Sequence, residues 1–294
     1  MFPKRINIGY FYAALCVLSW SFIPIVARLG QVKLDNFQLL FWSNMLSLLA
    51  LSLLFILLNG FSYRVTSKKE FIQGLFLGSL GCCIYYLLLY YGYANGNSIE
   101  VLLVQYSWPI QMVLLASLIL KEPLSLIKLF SVILGFLGIV VIITKGRLFD
   151  VEFSGLVVGL TVFFGAFCFA VFSVVSKGSK MDGFLFTIVL FSGGTIASLL
   201  ALLLFSEVQL PSKKELLPVF FNGIFINGFS YLLWILALRK ISAVSAAVMI
   251  FLTPLFSTIW LITFFDEVLY AAYIVGGCIV ILSSFYSLLD RNGS

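Results

Sequence analysis

The chain has 294 residues, of which 62% are hydrophobic and only 10% charged, with a mean hydropathy of +1.14. Soluble domains hold roughly 45–50% apolar and about 25% charged residues, so this composition excludes a soluble domain and describes a polytopic membrane protein. The net charge of +6 is read as cationic membrane flanks rather than a nucleic-acid surface, and the absence of histidine removes the commonest metal ligand and acid–base group.

Spanning a bilayer takes about 20 apolar residues. Segments of that kind follow one another at 8–28, 36–58, 71–94, 99–120, 125–144, 154–176, 184–205, 214–238, 243–265 and 269–289. The expected fold is therefore all-α and polytopic, with about ten transmembrane helices joined by short links. The first run, Tyr10–Val26, is too long for the apolar core of a cleavable signal and lacks a small-residue cleavage site, so it is expected to stay as a span. The longest polar stretch, around Tyr63–Glu70, is too short to fold alone. Cys16, Cys82, Cys83, Cys168 and Cys278 all fall inside apolar runs and read as small buried hydrophobes, not as a disulfide framework or a zinc site. No metal and no cofactor are expected.

Lysine and arginine in the links set orientation. With the N-terminus cytoplasmic, the inside holds Lys4, Arg5, Arg64, Lys68, Lys69, Lys121, Lys128, Lys177, Lys180, Arg239, Lys240 and Arg291. The outside then holds Arg28, Lys33, Lys145, Arg147, Lys213 and Lys214. Both termini are expected inside.

The two halves repeat. Pro109 and Pro254 lie 145 residues apart, as do Glu122 and Glu267, Tyr86 and Tyr231, and Gly78 and Gly223. "PIQMVLLASLILKEPL" (Pro109–Leu124) and "PLFSTIWLITFFDEVL" (Pro254–Leu269) share a proline, twelve mostly apolar residues, an acid, and a leucine two places on. The expected repeats are residues 1–148 and 149–294. Five helices per repeat is an odd number, so the second copy must be inverted, an architecture of many secondary transporters with substrate held between the halves.

Pro24, Pro109 and Pro254 stand out among the prolines inside spans. Pro109 cannot donate to the carbonyl of Gln105, Pro254 cannot donate to that of Ile250, and Pro24 cannot donate to that of Trp20. Released carbonyls at membrane depth are tolerated where protein or a watery cavity meets them, so the three prolines are expected to act as hinges or cavity lining. On an ideal fourth helix Glu100, Val104, Ser107, Trp108 and Gln111 share one side. Tyr106 points nearly opposite Trp108, so both reach one cavity only if the proline distorts the helix. The third helix carries Cys82, Tyr86, Tyr90 and Tyr93 on a stripe, and the eighth answers with Asn227, Tyr231 and Trp234. An interfacial belt is the alternative for such rings, and for Tyr93 in particular. Glu100 is either a coupling carboxylate within the span or a first-turn acid favoured by the helix dipole. Ser131 with Gly135, and Ala272 with Gly276, suit close packing of the fifth and tenth helices.

These elements resemble the drug/metabolite transporter superfamily, EamA type, over nearly the whole chain. "GYANGNSIEVLLVQYSWP" (Gly92–Pro109) and "VLSWS" around Trp20 resemble more narrowly its aromatic amino acid exporter (YddG-like) branch. That resemblance implies a central cavity lined by Trp20, Tyr106 and Trp108, and efflux of amino acids and related metabolites. The sequence departs at "GAFCFAVF" (Gly165–Phe172), where Phe169 stands in place of the branch's tryptophan, and at Ser131 and Ser283, which replace glycines.

The expectation is an inner-membrane carrier that exports amino acids, aromatic ones included, or similar amphipathic metabolites by alternating access. Trp20, Tyr86, Trp108, Tyr231 and Trp234 would form apolar walls, while Gln105, Ser107, Gln111 and Asn227 would meet the solute's polar end; Tyr90, Tyr106 and Phe169 complete the set. The expected partners are that small molecule and the lipid bilayer, with no nucleic acid and a homodimer left open. Import of a nucleotide- or cofactor-like metabolite is the alternative. A channel needs a continuous polar stripe and an intramembrane enzyme needs a nucleophile–base pair; the sequence offers neither.

Overall fold

A computed structural model describes residues 7–30, 34–60, 67–265 and 268–289. Ten helices follow in chain order: α1 (Ile8–Val26), α2 (Asn36–Asn59), α3 (Lys68–Asn95), α4 (Ser98–Ile119), α5 (Leu126–Ile143), α6 (Leu156–Lys177), α7 (Gly183–Phe205), α8 (Lys213–Leu238), α9 (Ala243–Phe265) and α10 (Ala271–Leu289). Among the described residues, nine are long and apolar enough to cross a bilayer, and α10 contributes a shorter apolar stretch, Ala271–Tyr286. The sequence boundaries hold to within three residues.

Local chemistry sets several starts. Asp35 accepts from the Gln38 backbone at 2.8 Å while Gln38 Oε1 accepts from the Asp35 N–H at 3.0 Å, a reciprocal cap. Asp182 caps α7 through Phe184 and Leu185 N–H, both 3.0 Å. An identical tetrapeptide, Ser-Lys-Lys-Glu, opens both α3 (Ser67–Glu70) and α8 (Ser212–Glu215), 145 residues apart. Glu70 accepts from Lys180 N–H at 2.8 Å, and Glu215 accepts from Leu34 N–H at 2.9 Å. The same contact thus forms once on each membrane face, as an inverted repeat requires. Glu267, the repeat partner of Glu122, lies outside the described residues, as do Lys4, Arg5, Lys33, Arg64 and Arg291; of Arg28 only the backbone is described.

Pro24, Pro109 and Pro254 each coincide with a break in their helix, whereas Pro218 sits inside the unbroken first turns of α8. α1 is interrupted at Phe22, ahead of Pro24. α4 divides into Ser98–Gln105 and Trp108–Ile119, and α9 into Ala243–Ile250 and Leu252–Phe265. Two further irregularities were not foreseen: Leu80–Ile84 in α3 and Asn222–Phe229 in α8 widen into i→i+5 turns at repeat-related positions. Helix α2 satisfies carbonyls of both. Asn44 Nδ2 donates to Cys82 O at 2.9 Å, and Ser47 Oγ donates to Gly223 O at 2.6 Å. Such partners are obligatory where no water is present.

Close crossings use small residues. A Cβ on Gly78 would sit 1.8 Å from Leu190 O and one on Gly193 2.0 Å from Leu75 O, so α3 and α7 meet backbone to backbone. Between α5 and α10, Gly138 and Gly276 each approach the other's carbonyl in the same way. Cys16, Cys82, Cys83 and Cys168 are buried as expected, but Cys278 is exposed on α10, because that helix lies at the bundle's edge and turns it outward.

Candidate functional site

A cavity of about 680 Å³ lies between the halves. Its lining comes from Trp20–Val26 of α1, Asn36–Ser43 of α2, Tyr85–Ala94 of α3, Leu102–Trp108 of α4, Pro218–Tyr231 of α8 and Ile250–Leu261 of α9, with Phe169 of α6. Apart from the deep floor, these are the half-helices nearest the face opposite the α1 N-terminus. The cavity therefore opens to that face and closes toward the other.

Aromatic rings build its floor. The indole of Trp20 lies 6.5 Å from that of Trp108, 6.0 Å from Phe169, 5.7 Å from Tyr231 and 5.5 Å from Trp234, centroid to centroid. Phe169 sits 4.8 Å from both Trp108 and Tyr85. Most pairs are edge-to-face or tilted, the arrangement favoured by ring quadrupoles. Polar atoms of these rings are anchored: Trp20 Nε1 donates to Ser230 Oγ at 2.7 Å, the Tyr86 and Tyr231 hydroxyls share a 3.0 Å bond across the repeat axis, and Gln105 Nε2 donates to Tyr85 Oη at 2.7 Å. No Asp, Glu, Lys or Arg is among the described residues lining the cavity.

Of the residues named from sequence, Trp20, Pro24, Tyr86, Tyr90, Gln105, Tyr106, Trp108, Phe169, Asn227 and Tyr231 line this cavity together. Tyr106 and Trp108 both reach it because the helix breaks between Gln105 and Trp108. Tyr93, weighed as a belt residue, lines it too.

Gln111, Ser107 and Trp234 are not where the sequence put them, and Glu100 takes the first-turn place weighed for it. Gln111 and Ser107 turn to each other, Gln111 Nε2 donating to Ser107 Oγ at 2.8 Å, because past the break the i,i+4 pair faces α4 itself rather than the cavity. Trp234 is wholly buried beneath Trp20 and donates to Ser173 Oγ at 3.1 Å, so it supports the floor without lining it. Glu100 is 2% exposed in the first turn of α4 and accepts from Ser154 N–H at 2.7 Å; it ties the α5–α6 link to the helix start and lies off the cavity. Pro109 and Pro254 are buried behind the wall and shape it through the helix breaks they cause.

Sequence reasoning missed Tyr85 and the whole contribution of α2, namely Asn36, Leu39, Leu40 and Ser43, together with Asn222, Thr253 and Ser257. Asn222 Nδ2 donates to Ser43 Oγ at 2.8 Å, joining α8 to α2 at the wall.

The closed face is tied across the halves. Lys177 Nζ lies 2.8 Å from Glu122 Oε1 and donates to Ile241 O at 2.5 Å, while Glu122 Oε2 accepts from Ala243 N–H, the start of α9, at 2.8 Å. Asn7 donates to Lys240 O at 2.7 Å, and Tyr10 to Ser245 Oγ at 3.2 Å. Glu122 and Lys177 are only 19% and 16% exposed.

Comparison with known proteins agrees with this architecture. One solved crystal structure superposes with a TM-score of 0.84 at 18% identity, covering 97% of this chain and 98% of that one, which establishes the shared fold. An uncharacterized transporter of Archaeoglobus fulgidus is 26% identical over 286 residues, 95% of this chain and 96% of its own length. Another, from Clostridium kluyveri, is 26% identical over 178 residues, 58% of this chain; the match spans about half (56%) of that relative. The EamA-like transporter family matches twice, over residues 7–144 and 157–289. With both halves of the membrane bundle matched and a cavity between them, the chain belongs to the EamA-like transporter family.

Proposed function

We propose that this transporter exports amino acids, aromatic ones among them, or similar small amphipathic metabolites across a bacterial inner membrane by alternating access. The observation that carries the reading is the cavity itself: about 680 Å³ of ring-lined space without a charged side chain among its described lining residues, open on one face and tied shut on the other. A solute with a flat apolar body gains area and ring contacts at such a floor, and Gln105, Tyr90, Tyr106 and Asn227 offer hydrogen bonds to its polar end. Phosphate recognition relies on Arg, Lys or helix N-termini; the lack of a described cationic side chain at the wall speaks against nucleotide-like cargo.

The two transport units are residues 1–148 and 149–294, related by inversion. Among described residues the basic side chains divide unequally: Lys68, Lys69, Lys121, Lys128, Lys177, Lys180, Arg239 and Lys240 on the closed face, against Lys145, Arg147, Lys213 and Lys214 on the open one. The positive-inside tendency puts the closed face, and both termini, in the cytoplasm, so the cavity faces outward. Purified protein in liposomes tests the reading: counterflow of labelled aromatic amino acids should exceed that of empty vesicles. A panel of amino acids that gives no counterflow above background would refute it.

A further inference from the structure

An inverted repeat holds both ends of the pathway in one structure, one end open and its counterpart packed shut. On α3 the open wall includes Tyr90, Tyr93 and Ala94. The 145-residue offset sets Ile235, Leu238 and Arg239 of α8 against them, and Ile235 and Leu238 are buried at the closed face. On α2 the open wall includes Asn36 and Leu39, counted from the cap Asp35. Counted from the matching cap Asp182, Gly183 and Phe186 hold the same places on α7. These counterparts, assigned on two helix pairs independently, meet: a Cβ on Gly183 would lie 3.3 Å from Arg239 Nη1, and the guanidinium lies 5.7 Å from the centroid of the Phe186 ring. Arg239, Gly183 and Phe186 are thus the shut form of the wall that Ala94, Asn36 and Leu39 form when open.

One exchange breaks the symmetry: Ala94 is answered by an arginine. Arg239 Nη1 donates to Met181 O at 2.6 Å, but Nε and Nη2 are shut off from solvent and have no hydrogen-bond partner. The carboxylates nearby are spent on backbone N–H groups, Asp182 on Phe184 and Leu185, and Glu70 on Lys180. Idle buried donors on a charged group are costly, and opening this face lifts that cost. Nε and Nη2 form one edge of the guanidinium, whose parallel N–H bonds match the two oxygens of a carboxylate. We infer that Arg239 takes the solute's carboxylate when the cavity opens to the closed, cytoplasmic face. Loading there is selective for carboxylates, whereas the open side has no cationic side chain among its described lining residues. This rests on the proposed export of amino acids by alternating access, and adds which group is read and from which side.

Phenylalanine and phenethylamine differ by the carboxylate alone. Both are tested unlabelled as competitors of labelled phenylalanine uptake, in inside-out and right-side-out membrane vesicles, against vesicles lacking the protein. From the cytoplasmic side phenylalanine should compete at a concentration about tenfold or more below that of phenethylamine, the worth of one hydrogen bond to a charged group, and from the outer side the two should agree within about twofold. Arg239→Gln should erase the cytoplasmic preference, and Arg239→Lys should keep part of it. A shift in the balance of states moves both competitors equally and leaves their ratio unchanged, so the ratio reports recognition rather than a structural role. No cytoplasmic preference in the wild type, one matched on the outer side, or one that survives Arg239→Gln would overturn the carboxylate site alone. No uptake of labelled phenylalanine above vesicles lacking the protein would overturn the proposed amino acid export, and this inference with it.

Discussion

Removing the charge of Glu122 should swing the transporter toward the opposite-facing state. Its carboxylate holds Lys177 and the first N–H of α9, both at 2.8 Å, and so joins α4 to α6 and α9 where the bundle is shut. Glu122→Gln keeps an oxygen for Ala243 N–H but loses the ion pair and the charge at a helix N-terminus. A partly exposed pair is worth up to about 1 kcal/mol, and charge at a helix start about 0.3–1 kcal/mol. The closed state should therefore lose about 1–2 kcal/mol, a factor of 5–30 in the balance of states. Ser176, wholly buried near the closed end of α6, is the reporter. In a cysteine-free background with Ser176→Cys, an impermeant maleimide on the cytoplasmic side should react 5–30-fold faster when Glu122→Gln is added. A cysteine at Tyr90, in the open cavity, should react more slowly from outside. If neither rate changes while the protein remains folded, the tie does not set the balance of states.

Three other expectations follow from the site and the fold. Trp108→Ala should weaken substrate binding by the lost area plus about 0.5–1.5 kcal/mol of ring contact with the solute, whereas Trp108→Phe should keep much of it; counterflow KM in well-expressed variants is the measure. Glu100→Gln should retain substrate counterflow without a pH gradient, because that carboxylate holds a loop N–H off the cavity; uphill accumulation driven by an imposed pH gradient and abolished by this change would make Glu100 the coupling residue. Cysteines placed at Pro123 and Val268 should label from opposite sides of the membrane, and equal labelling of both on intact cells would refute the inversion.

Much of this was legible in the residues. Pro24, Pro109 and Pro254 announced their breaks because each removes a backbone N–H mid-span, although Pro218, nearer a helix start, leaves α8 continuous. The break in α4 also explains why Tyr106 and Trp108, opposed on an ideal helix, share one cavity. Gln111 shares the half-helix of Trp108 but lies one turn beyond the cavity, where it meets Ser107 instead. Trp234 shares its face with Tyr231 but lies one turn deeper, and depth along a helix is not encoded in its periodicity. α2 was overlooked because Leu39, Leu40 and Ser43 look like any lipid-facing span. Only the wide turns of α3 and α8, which call for Asn44 and Ser47, give that helix a reason to carry polar side chains inward. The repeated Ser-Lys-Lys-Glu was the clearest unread signal, since it names the start of the same helix in both copies.

The wide turns have a consequence for phase. A turn that bonds i→i+5 takes up one more residue than a regular turn, so everything beyond it is rotated by roughly 100° relative to an unbroken helix. In α3, Gly78 faces α7 before the wide turn, and Tyr86 and Tyr90 face the cavity after it. The rotation brings Gly78, Tyr86 and Tyr90 to within roughly 40° of one another about the axis, where an unbroken helix would spread them over roughly 120°. Deleting one residue within Leu80–Ile84 would return α3 to regular winding with both faces kept. The same deletion a few residues further along would swing Tyr90 out of the cavity, so the helix has one short interval in which its length is adjustable.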